Sequence, residues 1–76
     1  MIKWGIVGLG NMAGIFANAI KEVENSKLIS VASKSSNKLN TFQKNFEIKK
    51  ENKFTNYKDL INSKEIDAVY IATLNN

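Results

Sequence analysis

Directly after the β-branched run Ile2 to Val7, the chain reads Gly8-Leu9-Gly10-Asn11-Met12-Ala13, and a helical pattern of apolar residues follows at once. Few local features restrict a fold more. A short apolar run ending in glycine suits a strand buried on both faces. The small or apolar side chains at Met12, Ala13, Phe16, Ala17, Ile20 and Val23 have the spacing of a helix lying on a sheet. Between the two, the pattern G-x-G-x-x-A gives each small residue a task. Gly8 permits the tight strand-to-helix turn, Gly10 lets backbone approach a ligand without a Cβ in the way, and Ala13 lets helix and strand pack closely. The amides at the helix start, near Gly10 to Met12, are then directed at an anion with the helix dipole behind them.

The rest of the chain repeats the alternation. Leu28 to Ala32 is a second apolar strand, and Ser35 or Ser36 caps a helix carrying Leu39, Phe42 and Phe46 on one side. Phe54 belongs to a very short third strand after the polar loop Lys49 to Lys53. A third helix begins near Thr55 or Asn56, presents Tyr57, Leu60 and Ile61, and ends around Asn62 and Ser63. Ala68 to Ala72 is a fourth strand. There is no proline, internal repeat or linker, so the order is β-α-β-α-β-α-β. Right-handed crossovers make the sheet parallel. This is the doubly wound α/β class, which in full has six strands in the order 3-2-1-4-5-6. The chain therefore reads as a C-terminally truncated fragment of such a fold, residues 1–76 forming one N-terminal dinucleotide-binding domain without its last strands.

Composition narrows the chemistry. The 76 residues contain no cysteine and no histidine, which removes disulfides, thiolate zinc sites, thiol nucleophiles and imidazole bases or ligands. No metal site is expected. The net charge of +4 rests on eleven lysines without one arginine, and arginine is the residue suited to guanine edges and bidentate phosphate clamps. Nucleic acid is not expected as a partner. Lysine, asparagine and isoleucine are all abundant and all have A/T-rich codons, so base composition accounts for part of the charge. No apolar stretch has the length of a membrane span or the form of a secretory leader, so the chain reads as cytoplasmic and as starting at its natural N-terminus.

The end of the second strand bears on which dinucleotide is taken. An NAD site usually carries a carboxylate there to hold the adenosine ribose. Here the sequence is Val31-Ala32-Ser33-Lys34-Ser35-Ser36, with no acid in reach. Ser33, Lys34 and Lys38 instead offer hydroxyl and positive charge to a 2′-phosphate, so NADP(H) is favoured and NAD(H) is the alternative. A serine-rich helix cap beside a solvated lysine is the plainer reading of the same residues.

The segments Ile6 to Ala13, Val31 to Ser35, Tyr57 to Ile61 and Ile66 to Thr73, in this order, resemble the N-terminal half of the glucose-fructose oxidoreductase / inositol dehydrogenase / rhizopine catabolism (Gfo/Idh/MocA) family. That family consists of NAD(P)-dependent oxidoreductases acting on sugars, inositols and related polyols or diols. Its members join a Rossmann domain to a C-terminal α+β domain with a large open sheet. The resemblance implies that Gly8, Gly10, Asn11, Met12 and Ala13 line the pyrophosphate. Ser33, Lys34 and Lys38 would face the adenosine ribose, in a version of the family's Ser-Arg-Ser pattern. Ala72, Thr73 and Asn75 would lie beside the middle of the cofactor, where the family often reads Ala-Thr-Pro-Asn and this chain has Leu74 in place of proline. The family's catalytic lysine, in a Glu-Lys-Pro tripeptide, and its histidine in the second domain are both absent from these 76 residues. No catalytic residue is assigned, and Tyr57, Tyr70 and Trp4 read as packing residues.

Two functions remain. The chain is the cofactor-binding part of an oxidoreductase moving hydride to or from a sugar-like substrate, or it is a stand-alone, non-catalytic dinucleotide-binding or sensor module. For the first reading the fragment alone is expected to be inactive. Its unprotected fourth strand is expected to promote self-association or a homo-oligomer.

Overall fold

Apolar runs that alternate between two covered faces make the sheet. In the computed structural model, which describes residues 1–72, β1 is Ile2–Val7, β2 is Ser26–Ala32, β3 is Lys53–Phe54 and β4 is Ala68–Ile71. Helices α1 (Asn11–Lys21), α2 (Ser36–Phe46) and α3 (Tyr57–Ile61) alternate with them. Every pairing is parallel and the spatial order is β3-β2-β1-β4. The α/β class and the partial Rossmann order expected from the sequence are both present. From β1 the chain steps outward to β2 and β3, then returns across β1 to β4. Right-handed crossovers in opposite directions place α1 and α2 on one face and α3 on the other.

The core divides accordingly. Ile6, Leu28 and Val31 pack under Ala13, Ala17 and Ile20 of α1 and Leu39 and Phe42 of α2. On the other face Val7 and Ala32 pack against Leu60 of α3. Because neighbouring residues of β1 point to opposite covered faces, its apolar run is continuous rather than alternating. An aromatic ladder ties α1 to β1 and β4. Trp4 meets Phe16 edge-on at 5.1 Å, and Phe16 stacks on Tyr70 at 4.0 Å.

Several boundaries differ from expectation. Helix α1 runs from Asn11 to Lys21 rather than Met12 to Val23, and Val23 is exposed beyond its C-cap Glu22. Strand β2 starts two residues early, at Ser26. Helix α3 is only Tyr57–Ile61, and Ile61 faces outward while Leu60 alone is fully buried. Between β1 and β2 the register shifts, Trp4 lying beside Leu28 but Gly5 beside Ser30. Ile29 is thus the extra residue of a bulge, which brings Leu28 and Val31, three apart, into the same core cluster.

Gly5 is fixed by packing. A Cβ there would lie 2.8 Å from Cδ2 of Leu60 and 3.1 Å from Cδ1 of Ile66, and Leu60 is fully buried with nowhere to move. Gly5→Ala is therefore expected to destabilise the fold by about 1–3 kcal/mol through overpacking. Urea unfolding measures it, and Leu60→Ala in the same chain should recover part of the loss. An unchanged midpoint would contradict the close approach of α3 to β1.

The outer edge of β4 pairs with nothing among the described residues. The strand holds neither charge nor proline, Ile71 is 63% exposed, and Met12 and Ile15 on α1 are exposed as well. Such an edge recruits other strands. The chain is expected to self-associate at ~100 μM, a range where open edges are hazardous, and Ile71→Lys should suppress it. Light scattering showing the unmodified chain as a clean monomer would refute this expectation.

Candidate functional site

The carboxyl ends of β1, β2 and β4 converge where the strand order reverses, the place at which open α/β sheets leave a crevice. Each strand delivers its next residue to that crevice: Gly8 after β1, Ser33 after β2, Ala72 after β4.

Gly8 turns the chain with φ 86, a left-handed conformation suited to glycine, while its N–H donates to the Ala32 carbonyl at 2.9 Å. Gly10 differs in kind. Its φ of −85 is open to any residue, and a Cβ built on it would meet no heavy atom within 4 Å. Neither backbone nor protein packing demands glycine there. It is the N-cap of α1 but offers no side-chain cap, and no acidic residue occupies the first turn. The amides of Asn11 and Met12 therefore remain available to an acceptor from outside the helix. Ala13, fully buried, lets α1 sit close to the sheet.

The loop after β2 is built by its serines. The Ser33 amide donates to the Phe54 carbonyl at 3.0 Å, and the Ser33 hydroxyl oxygen accepts the Ser35 amide at 3.1 Å. Ser35, not Ser36, caps α2 by accepting the Lys38 amide at 3.3 Å. Lys34 and Lys38 are exposed on either side of this cap.

Three adjoining hollows make up the crevice. One of about 370 Å³ is lined by Gly8, Gly10, Ser33, Lys34, Ser35, Lys38, Tyr57 and Ala72, together with Leu9. Another of about 310 Å³ lies between Asn11, Met12, Tyr70 and Ala72, and a third of about 380 Å³ between Asn11, Asn37 and Thr41. All three share Gly10 and Lys38, so they form one trough. Among the described residues Lys34 and Lys38 are its only charged lining residues, and no carboxylate lines it. An elongated anion fits that charge.

Of the residues singled out from the sequence, Gly8, Gly10, Asn11, Met12, Ser33, Lys34, Lys38 and Ala72 all line the trough. Ala13 does not reach it and lies beneath. Thr73 and Asn75 fall outside the described residues. Tyr57 and Tyr70, read as packing residues, do pack against the core but also line the trough. Tyr57 arrives there because a helix following a parallel strand starts at the strand's carboxyl end. Thr41 and Asn37, on the exposed side of α2, carried no signal of their own.

Among the described residues no cluster of three or more carboxylates could hold a metal ion, and no helix is long and apolar enough to cross a membrane.

Solved structures with the same architecture are numerous. Scyllo-inositol dehydrogenase from Lactobacillus casei, in a crystal with bound NAD(H) and scyllo-inositol, aligns over 97% of this chain with 31% identity and a TM-score of 0.88. Myo-inositol 2-dehydrogenase from Lactobacillus plantarum aligns over 96% with 28% identity and a TM-score of 0.83. The aldose-aldose oxidoreductase of Caulobacter crescentus, complexed with glycerol, aligns over 95% with 28% identity and a TM-score of 0.82. In each case the chain spans only 21–22% of the other protein's length. No curated protein sequence matches. The family described as "Oxidoreductase family, NAD-binding Rossmann fold" (GFO_IDH_MocA) matches residues 2–76. A glycine turn feeding a helix at the reversal point of a parallel sheet is how that fold receives its cofactor, and with a match over nearly its whole length the chain belongs to the Gfo/Idh/MocA oxidoreductase family as its NAD-binding Rossmann domain.

Proposed function

We propose that residues 1–76 are the N-terminal cofactor-binding part of an oxidoreductase that moves hydride between NADP(H) and a sugar, inositol or related polyol. The open space above Gly10 carries the reading. A glycine that neither φ nor packing requires, placed over uncapped helix amides, is explained by a pyrophosphate lying against it. The cofactor, when bound, supplies the hydride chemistry. This chain's residues bind and orient it: Gly8 and Gly10 shape the turn, the Asn11 and Met12 amides donate to phosphate oxygens, and Ala72 borders its middle. Polyol chemistry is supported by the relatives, one of which holds scyllo-inositol beside NAD(H). This chain spans 22% of that relative's length.

The preference for NADP(H) rests on charge. Ser33, Lys34 and Lys38 line the hollow after β2 without a carboxylate, so nothing there accepts from the ribose hydroxyls as an acid would, and two ammonium groups attract an added phosphate. One charge-assisted hydrogen bond contributes ~1.5–3 kcal/mol, a preference of roughly 10- to 150-fold. Titration calorimetry with NADPH and NADH checks both levels. Binding of neither cofactor would overturn the functional reading, and equal binding would overturn the NADP preference alone. No dehydrogenase turnover is expected from the 76 residues.

A further inference from the structure

At the opposite end of the sheet the strands begin around a second polar hollow, of about 210 Å³. Lys3 of β1 lies beside Lys27 of β2 in the parallel register, and like charges at neighbouring positions of paired strands repel. Lys49, preceding the 3-10 turn Lys50–Asn52, lines the same hollow. Its wall includes Asn52, only 4% exposed. Among the described residues the Asn52 side-chain amide forms no hydrogen bond, although its backbone N–H donates to the Lys49 carbonyl. Ser30 precedes Val31 as Asn52 precedes Lys53, the residue paired with Val31, but Ser30 itself does not line the hollow. The Ser30 hydroxyl is fully buried and likewise unpartnered among the described residues. Of the two, only the Ser30 hydroxyl oxygen is sealed from solvent; the Asn52 amide is open to the hollow that it lines and is free to take a ligand there.

Glu47 and Glu65 also line the hollow, which leaves it one net positive charge against the three lysines. That balance suits a compact anion and disfavours polyphosphates or nucleic acid. We propose that Lys3, Lys27, Lys49 and the Asn52 amide form a site for a single phosphate group, separate from the cofactor trough. Bound there, the phosphate would relieve the repulsion between Lys3 and Lys27 and accept from the Asn52 amide.

A titration of the ¹⁵N-labelled chain with inorganic phosphate, ionic strength held constant with chloride, tests this. Saturable shifts are expected for Lys3, Lys27 and Asn52, including the Asn52 side-chain amide, and Lys27→Gln and Lys49→Gln should each weaken binding by about tenfold or more. Methyl phosphate in place of inorganic phosphate distinguishes a site for a phosphoryl group carried on a metabolite, which accepts both, from one for free phosphate, which accepts only the latter. Shifts confined to the Gly8–Ala13 turn, a response matched by chloride, or phosphate binding as tight in both lysine variants as in the unmodified chain would overturn the proposal. Cofactor binding at the other end of the sheet is read separately, so failure here leaves that assignment standing.

Discussion

Replacing Gly10 by valine is expected to abolish dinucleotide binding while the chain stays folded. The valine side chain would occupy space that no protein atom uses, and would hold a pyrophosphate away from the Asn11 and Met12 amides. Losing two charge-assisted hydrogen bonds of ~1.5–3 kcal/mol each corresponds to a fall in affinity of roughly 10²- to 10⁴-fold. The fold should lose no more than the ~1 kcal/mol that a poorer N-cap costs. Gly8→Ala supplies the contrast, because φ 86 penalises any Cβ, so stability and binding should fall together. Calorimetric titration and thermal melting on the two variants separate these effects. A Gly10→Val chain that binds cofactor normally would show that the pyrophosphate does not lie over this turn.

Ser33→Asp is expected to reverse the cofactor preference. In the fold the Ser33 oxygen already accepts the Ser35 amide, and an aspartate oxygen can do the same, so the loop should survive the change. Its second oxygen would accept from the ribose hydroxyls of NAD(H) and repel the 2′-phosphate of NADP(H). The ratio of affinities should swing from roughly 10- to 150-fold in favour of NADPH to a preference for NADH. Lys34→Ala should weaken NADPH and leave NADH nearly unchanged, and added salt should narrow the gap in the unmodified chain because Lys34 is exposed. If Lys34→Ala weakens both cofactors equally, the loop does not read the 2′-phosphate.

The parts of this structure legible in the sequence are those with a local signature. Periodicity marked β1 and α1, the glycine pattern marked the turn, and the doubly wound class they point to supplied the strand order. The bulge at Ile29 was not legible, because a one-residue slip in pairing depends on the partner strand and leaves no mark in either sequence. The end of α1 is set by the turn through Asn25, which takes φ 66 ahead of β2, and apolar Val23 concealed that stop. Gly5 could not be interpreted until Leu60, 55 positions later, was seen against it. Tyr57 entered the site through the placement of α3, so its role is a property of topology rather than of its neighbours in sequence.

The central position of β1 also has a consequence for synthesis. This strand is made first, yet one of its two neighbours, β4, is made last: Trp4 pairs with Ala68 and the Lys3 backbone N–H donates to the Asp67 carboxylate. At ~5–20 residues per second, the ribosome needs several seconds to deliver β4 after β1 has emerged. During that interval β1 can pair only on its β2 side, and its other edge stays open to chaperones or to nascent neighbours on the same message. Translation speed between Ser26 and Asp67, more than any local propensity, then sets how long this chain is exposed to misassembly.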